Sequence, residues 1–171
     1  INELEISTRL GKIDVNKSPG PDGIHPRILH EVRSEIAGAL KIIFISSLLN
    51  HEVPMDWRAG NISPIFKKGN KTDASNYRPI SLTSIVCKLF ESIIRDHIVQ
   101  FFVVNNLFSC KQYGFIKGRS TVLQMLKILD DWTGMLEYGG QVDVIYTDFE
   151  ETFDRVPHNR LLSKLYSYNI N

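Results

Sequence analysis

The feature that most constrains the fold of this chain is the run Ser18–Gly23, which places two prolines and two glycines among six residues. Proline fixes φ and removes a backbone N–H donor, while glycine admits backbone conformations that are closed to other residues. Neither a helix nor a regular strand can pass through such a run. We therefore predict a tight, fixed loop that divides the chain at this point.

Apolar residues recur at helical spacing in several stretches on the C-terminal side of this loop. The first of these stretches predicts one long amphipathic helix. The third has a serine at its start that can cap a helix and two glycines after its end, and the last has a proline suited to a first helical turn. The predicted helices are Ile24 to about Asn50, Leu82 to about Val103, Ser120 to Leu136, and one that begins near Pro157.

Two other patterns predict strands. A short apolar run over Ile62–Phe66 contains Pro64 and is typical of an edge strand, and a second candidate lies near Arg78–Leu82. The polar stretch Lys67–Asn76 between them indicates a basic hairpin at about residues 60–82. Val142–Thr147 alternates two faces, is rich in strand-forming residues and follows a Gly-Gly turn, so it also predicts a strand.

The net charge of +1 conceals a segregated distribution. Residues 58–95 carry a net charge of +5, residues 111–127 a net charge of +4, and residues 128–171 a net charge of −5. A basic middle followed by an acidic end suits a protein that holds a polyanion with one part and metal ions with another. Ordinary solvated surface charge is the alternative interpretation.

Asp148 is the strongest candidate for a metal ligand, because a carboxylate at the end of a strand is held rigidly while its tip stays accessible. An aspartate after a strand is also a common cap or turn residue. Two-metal phosphoryl transfer needs at least two converging carboxylates. Asp154 is a weaker candidate, and no later strand with paired acids follows.

Two basic segments are candidate binding sites. Lys67, Lys68 and Arg78 would lie on facing strands, where they could hold a triphosphate or a nucleic-acid backbone. Lysines also commonly protect an exposed edge strand from pairing with another chain. The loop Gln112–Ser120 combines aromatic residues, glycines and cations before a helix, which suits phosphate binding or base stacking.

The two cysteines, Cys87 and Cys110, match no metal-ligand spacing and indicate free thiols in a reducing compartment. No apolar stretch approaches the roughly 18 residues of a membrane span, so we expect no membrane partner. The chain has no initiator Met and no signal peptide, and therefore reads as a piece of a longer polypeptide whose location no targeting signal reveals.

Four runs of residues, taken in order, resemble the reverse transcriptase domain of non-LTR (LINE-type, jockey-like) retrotransposons. The likeness extends from about Asn16 to the end of the chain. The runs are Lys17–Ile24; Trp57-Arg58 with Pro64–Gly69 and Asn76–Leu82; Gln112–Thr121; and Tyr146–Phe149 with Phe153–His158.

The resemblance implies an α+β fold, namely the fingers and an incomplete palm of a right-hand polymerase. Residues 1–138 would be a mostly helical, fingers-like region that includes the basic hairpin. Residues 139–171 would start the palm with its first catalytic strand. The whole chain would be a fragment of one reverse transcriptase domain, an RNA-directed DNA polymerase, located inside the cell in the cytoplasm or nucleus.

The resemblance also implies roles for individual residues. Asp148 would be the first catalytic aspartate and would bind two Mg²⁺ ions, with the backbone carbonyl of Phe149 as a further ligand. Phe153 would be the aromatic gate that favours dNTPs, and Arg78 with Lys67 or Lys68 would contact the triphosphate. The residues expected along the template path are Gln112, Gly114, Phe115, Lys117 and Arg119.

The implied partners are an RNA template, a DNA primer, dNTPs and the remainder of the polymerase chain. The sequence departs from the family pattern at Glu150, Glu151, Thr152 and Ile116, and it contains no counterpart of the later Tyr/Phe-Ala-Asp-Asp motif. We therefore expect no polymerase activity from these 171 residues alone. The alternatives are a non-catalytic nucleic-acid-binding module and a decayed transposon copy.

Overall fold

The computed structural model describes residues 1–149, 153 and 155–170. Its helices are α1 (Glu3–Leu10), α2 (Pro26–Glu31), α3 (Arg33–Asn50), α4 (Ile85–Val104), α5 (Thr121–Glu137) and α6 (His158–Ser167), and its strands are β1 (Gly60–Phe66) and β2 (Tyr77–Thr83). Short 3₁₀ turns occupy Met55–Trp57 and Ala74–Asn76. The chain divides into two compact units, Ile1–Ser109 and Cys110–Asn171.

The first unit is built around a core between α1, α3 and α4. Phe44 of α3 stacks on Phe90 of α4 with 4.8 Å between ring centroids, and Trp57 lies 5.8 Å from both rings. Trp57 therefore ties the segment that leads into β1 to the helices. The buried apolar residues of this core are Ile6, Leu10, Leu29, Ala37, Leu40, Phe44, Val86, Leu89, Phe90 and Ile93.

The run Ser18–Gly23 contains the predicted tight turn. The amide of Gly23 donates to the carbonyl of Gly20 at 3.1 Å, and Gly23 takes a φ of 69° that favours glycine. A Cβ atom on Gly20 would lie 2.7 Å from the carbonyl oxygen of Thr83 and 2.9 Å from the nitrogen of Ser84. The loop therefore rests directly on the backbone where β2 passes into α4.

The predicted single helix from Ile24 to Asn50 is wrong in one respect, because two helices meet at Val32. Val32 has φ −93° and ψ 21°, outside the helical region. The guanidinium of Arg33 donates to the carbonyl of His30 at 2.8 Å. An uninterrupted helix would give that carbonyl to the amide of residue 34. The apolar residues keep the same helical spacing on both sides of Val32, so the sequence pattern does not reveal the break.

The other predicted helices and the hairpin are confirmed. Ser84 and Ser120 cap α4 and α5, accepting from the amides of Cys87 and Leu123. Gly139 follows α5 with a φ of 74°, as expected for a residue that stops a helix, and Pro157 immediately precedes α6. The two strands pair antiparallel, with Ile65 opposite Arg78 and Phe66 opposite Tyr77.

The predicted strand over Val142–Thr147 is not formed, because this segment carries no regular secondary structure. A strand is completed by a ladder of hydrogen bonds to a neighbour. Within the described residues the one such ladder joins β1 to β2. The alternation of side chains over Val142–Thr147 is suited to a strand, but the described residues provide no neighbouring strand for it to pair with. Asp148 therefore does not lie at the end of a strand.

The second unit differs from the first in its packing. Among its described residues none is buried, and the apolar side chains of α5, such as Leu123, Leu126 and Leu129, remain exposed. No helix in the described part of the chain is both long and apolar enough to cross a membrane. The predicted division into residues 1–138 and 139–171 stays a prediction.

The core can be tested with one substitution made at two positions of α1. Leu10 is fully buried, whereas Leu4 is 78% exposed. Leu10→Ala should lower the free energy of unfolding by about 2–5 kcal/mol, because it leaves a cavity. Leu4→Ala should change it by less than about 0.5 kcal/mol. Urea denaturation of the 171-residue chain measures both values, and equal effects would contradict the described packing of α1.

The two cysteines provide a second test. Both thiols are free, Cys110 is exposed, and Cys87 is buried and donates to Glu91 at 3.6 Å. Burial, followed by the charge of Glu91, raises the pKa of Cys87 to about 11. At pH 8 a disulfide reagent should react quickly with Cys110, and with Cys87 only after unfolding, since the thiolate is the reactive form. Cys110→Ser should leave no fast thiol, and a second fast thiol in the unmodified chain would show that Cys87 is accessible.

Candidate nucleic-acid interface

The hairpin brings two of the predicted basic residues onto one face. Ile65 lies opposite Arg78 in the ladder, so their side chains are on the same side. The amide of Lys67 donates to the carbonyl of Asn76 at 2.8 Å and continues the pairing beyond β1. Alternation along an extended chain then places Lys67 on the face of Ile65 and Arg78. Lys68 follows just past the strand.

The loop between the strands is held by its own hydrogen bonds. The side-chain amide of Asn76 donates to the carbonyl of Asn70 at 2.9 Å, and the hydroxyl of Tyr77 donates to the carbonyl of Lys71 at 2.9 Å. Asp73 accepts from the hydroxyl and the amide of Ser75 at 2.8 and 2.9 Å. These bonds hold the loop against its own ends and give the backbone that carries the basic residues a defined conformation.

The hairpin carries an excess of positive charge that is open to an anion. Residues 60–83 contain four cations and one acid, Asp73. Hydrogen bonds from Ser75 lower the pKa of Asp73, so this carboxylate stays ionised at neutral pH. Lys67, Lys68 and Arg78 are exposed, and no carboxylate among the described residues lies within 4.0 Å of their charged groups.

The loop Gln112–Ser120 is organised by Arg119. One guanidinium nitrogen of Arg119 donates to the carbonyls of Cys110 and Gln112, and the group lies 5.7 Å from the ring centroid of Tyr113. The side chain of Gln112 donates to the carbonyl of Gly114 at 3.3 Å. Arg119 thus shapes the loop with the same donors that the family resemblance predicts would contact a template strand. Lys117 is exposed.

Two exposed aromatic residues of the second unit meet in space. Phe115, predicted to line the template path, and Phe153, predicted to be the gate, lie with ring centroids 5.8 Å apart and edge to face. Phe115 is 94% exposed and Phe153 is 78% exposed, so their faces are open to solvent. Such faces are suited to stacking with a base or a sugar.

The segment of the second unit that carries the predicted metal ligands is only partly described. Asp148 and Phe149 are both exposed. Asp143 accepts a hydrogen bond from Gln141 at 3.2 Å. The described part of the chain holds no group of three or more His, Cys, Asp or Glu side chains that could bind a metal ion. Glu150, Glu151, Thr152 and Asp154 lie outside the described residues.

Sequence reasoning did not predict two contacts at these surfaces. Lys71, in the hairpin loop, places its ammonium 5.7 Å from the ring centroid of Phe66. Tyr113 supports Arg119. Their signals in the sequence were a third lysine within the polar stretch Lys67–Asn76 and a tyrosine six residues before an arginine, and neither pattern specifies a contact without the fold.

Comparison with known proteins covers most of the chain. The reverse transcriptase (RNA-dependent DNA polymerase) family matches residues 65–171. The chain is 28% identical to the probable RNA-directed DNA polymerase from transposon BS of Drosophila melanogaster over 162 residues, which is 94% of the chain and 18% of that relative.

Two further relatives come from the same organism. The chain is 29% identical to the probable RNA-directed DNA polymerase from transposon X-element, over 88% of the chain and 17% of the relative. It is 27% identical to the RNA-directed DNA polymerase from mobile element jockey, over 94% and 18%. The chain thus spans less than a fifth of the length of these relatives. The mixed helical and two-stranded architecture is consistent with the reverse transcriptase family. The family match over residues 65–171 shows that the chain belongs to this family, and the relatives it resembles include the polymerases of non-LTR, jockey-like elements.

Proposed function

We propose that this chain forms the fingers and the start of the palm of an RNA-directed DNA polymerase from a non-LTR retrotransposon. The complete enzyme would transfer a nucleotide from a dNTP to the 3′-OH of a DNA primer on an RNA template. The observation that carries the proposal is the hairpin whose Lys67, Lys68 and Arg78 are exposed and form no ion pair with any described residue. Most of this hairpin lies within the family match at residues 65–171.

In this proposal the hairpin binds the triphosphate of the incoming nucleotide. Arg78 offers a planar fork of donors that matches phosphate oxygens, while lysines act as point charges that follow a flexible anion. The face shared by Lys67 and Arg78 supports the assignment. Lys68, just beyond β1, would add a third cation at the edge of that face.

The metal site is incomplete in the described residues. The carboxylate of Asp148 and the carbonyl of Phe149 are oxygen donors of the kind that Mg²⁺ prefers, and both residues are exposed. A single carboxylate does not hold a pair of cations, so further acids must converge on it. Asp148 and Phe149 would hold part of the metal pair, which would supply charge stabilisation at the phosphate when bound.

The loop Gln112–Arg119 would border the template. Phe115 and Lys117 offer an exposed ring and an exposed ammonium, which suit base stacking and phosphate contact. Gln112, Gly114 and Arg119 would fix the shape of the loop as well as approach the strand. Phe153, whose ring packs edge to face with that of Phe115, would limit room beside the sugar and so favour dNTPs.

A second candidate function is nucleic-acid binding without catalysis. The exposed cations of the hairpin and of the loop Gln112–Arg119 favour it, since basic segments alone are sufficient for binding. The RNA template, the DNA primer and the remainder of a polymerase chain are partners under the first proposal, whereas a nucleic-acid strand alone is the partner under the second.

The first test removes two charges from the hairpin. Lys67→Gln/Arg78→Gln should weaken binding of the 171-residue chain to single-stranded RNA. It should also reduce the magnitude of the slope of log affinity against log salt by about 1.4, because each lost phosphate contact accounts for about 0.7. A fluorescence anisotropy titration over a range of salt concentrations measures both quantities.

The matched control for this test is Lys41→Gln/Lys127→Gln. It also removes two charges, but Lys41 and Lys127 already pair with Glu3 at 3.0 Å and Asp131 at 2.6 Å. The control should retain the unmodified slope. A hairpin variant that behaves like the control would remove the basis for an anion site on this face.

The second test addresses catalysis in a complete polymerase. Residues 1–171 would replace the aligned segment of the jockey polymerase of Drosophila melanogaster, and primer extension on RNA would be measured. In this chimera Asp148→Asn should abolish extension, because it removes a metal-binding charge. Phe153→Val should raise the incorporation of ribonucleotides relative to dNTPs. The unmodified chimera is the control, and undiminished extension by Asp148→Asn would refute the catalytic assignment.

A further inference from the structure

A groove with a volume of about 560 Å³ lies in the first unit, away from the residues that the motifs single out for chemistry. Its wall runs from the end of α1 through Ser18 of the tight loop to the first turns of α4. Apolar side chains that include Ile13, Leu82 and Ile85 contribute to its surface. Leu82 belongs to β2, the strand that carries Arg78, so the groove lies at the root of the basic hairpin.

Four cations line this groove, and one of them is committed to the fold. Arg9 pairs with Glu5 at 3.0 Å and with Asp96 at 2.8 Å, and it donates to Ser92 at 3.2 Å. Burial lowers the pKa of Arg9, but the bonds to Asp96 and Glu5 outweigh it and raise that pKa. Arg9 therefore joins α1 to α4 and shapes the wall of the groove.

The other three cations are available. Lys12, Lys17 and Lys88 are exposed, and no carboxylate in the described part of the chain lies within 4.0 Å of their ammonium groups. The acid that lines the same groove, Asp14, accepts a hydrogen bond from the amide of Asn16 at 3.0 Å. Counted over the described residues, the groove presents three ammonium groups without an ion-pair partner and one carboxylate.

We propose that this groove binds the sugar-phosphate backbone of a single-stranded nucleic acid, as a contact separate from the basic hairpin. Flexible ammonium groups neutralise successive phosphates without demanding one geometry, and apolar side chains between them can accept sugars and bases. Along β2, Arg78 and Leu82 are roughly 13 Å apart at about 3.3 Å per residue. One nucleic-acid strand can therefore contact the hairpin and the groove together.

This inference deepens the proposed function by adding a second nucleic-acid contact, and it can be tested independently of the hairpin. The variant Lys12→Gln/Lys17→Gln/Lys88→Gln of the 171-residue chain would be titrated with an oligouridylate, which forms no base pairs. The plot of log affinity against log salt should become shallower, its slope losing about 2 in magnitude, and binding at low salt should weaken more than tenfold.

Two controls isolate the charge effect. Lys12→Arg/Lys17→Arg/Lys88→Arg keeps the charge and should keep the slope of the unmodified chain. Lys41→Gln/Lys127→Gln/Lys164→Gln removes three charges elsewhere: Lys41 and Lys127 are ion-paired, and the ammonium of Lys164 lies 5.1 Å from the ring centroid of Tyr168. This second control should lower the slope much less than the groove variant does.

The possible results separate the two proposals. A groove variant whose slope equals that of the three-charge control overturns the groove proposal, whatever the hairpin variant does. A loss of affinity shared by the arginine variant also overturns it, because charge would not be the cause. If the groove variant loses slope while Lys67→Gln/Arg78→Gln does not, the groove proposal stands and the hairpin assignment fails.

Discussion

The close approach of Gly20 to the backbone of Thr83 and Ser84 is the contact on which the placement of the hairpin depends. It fixes the point at which β2 leaves the sheet and α4 begins, and no side chain fits between the two backbones. Ser84 is fully buried at this junction and caps α4, whose Phe90 stacks on Phe44 of α3. Loop, strand and core thus share a single junction, and the basic hairpin and the groove both extend from it.

Local patterns were sufficient for much of the fold. Apolar spacing and capping residues located α4 and α5, and two short runs separated by a polar loop located the hairpin. The break at Val32 could not be predicted, because the apolar period continues through it unchanged; the bond from the Arg33 guanidinium to the carbonyl of His30 is visible only in the fold. The strand expected over Val142–Thr147 failed for the opposite reason, since strand formation depends on a distant partner that the local pattern does not reveal.

The candidate site shows the same division between local and distant information. The charges of Lys67, Lys68 and Arg78 could be located from sequence because one hairpin carries all three. Lys12, Lys17 and Lys88 could not, since they lie up to 76 positions apart and meet only when α1 packs on α4. Family resemblance predicts that Asp148 is a metal ligand, but the local pattern gives no information about which carboxylates would lie beside it.

The position of Arg119 changes what counts as a conservative replacement in its loop. Its planar group touches the Tyr113 ring and at the same time bridges two carbonyls, which a lysine ammonium on a single flexible stem cannot reproduce. Scoring schemes that treat arginine and lysine as equivalent would rate Arg119→Lys as neutral. In this protein the replacement would keep the positive charge but lose the hydrogen bonds to the carbonyls of Cys110 and Gln112 that shape the loop.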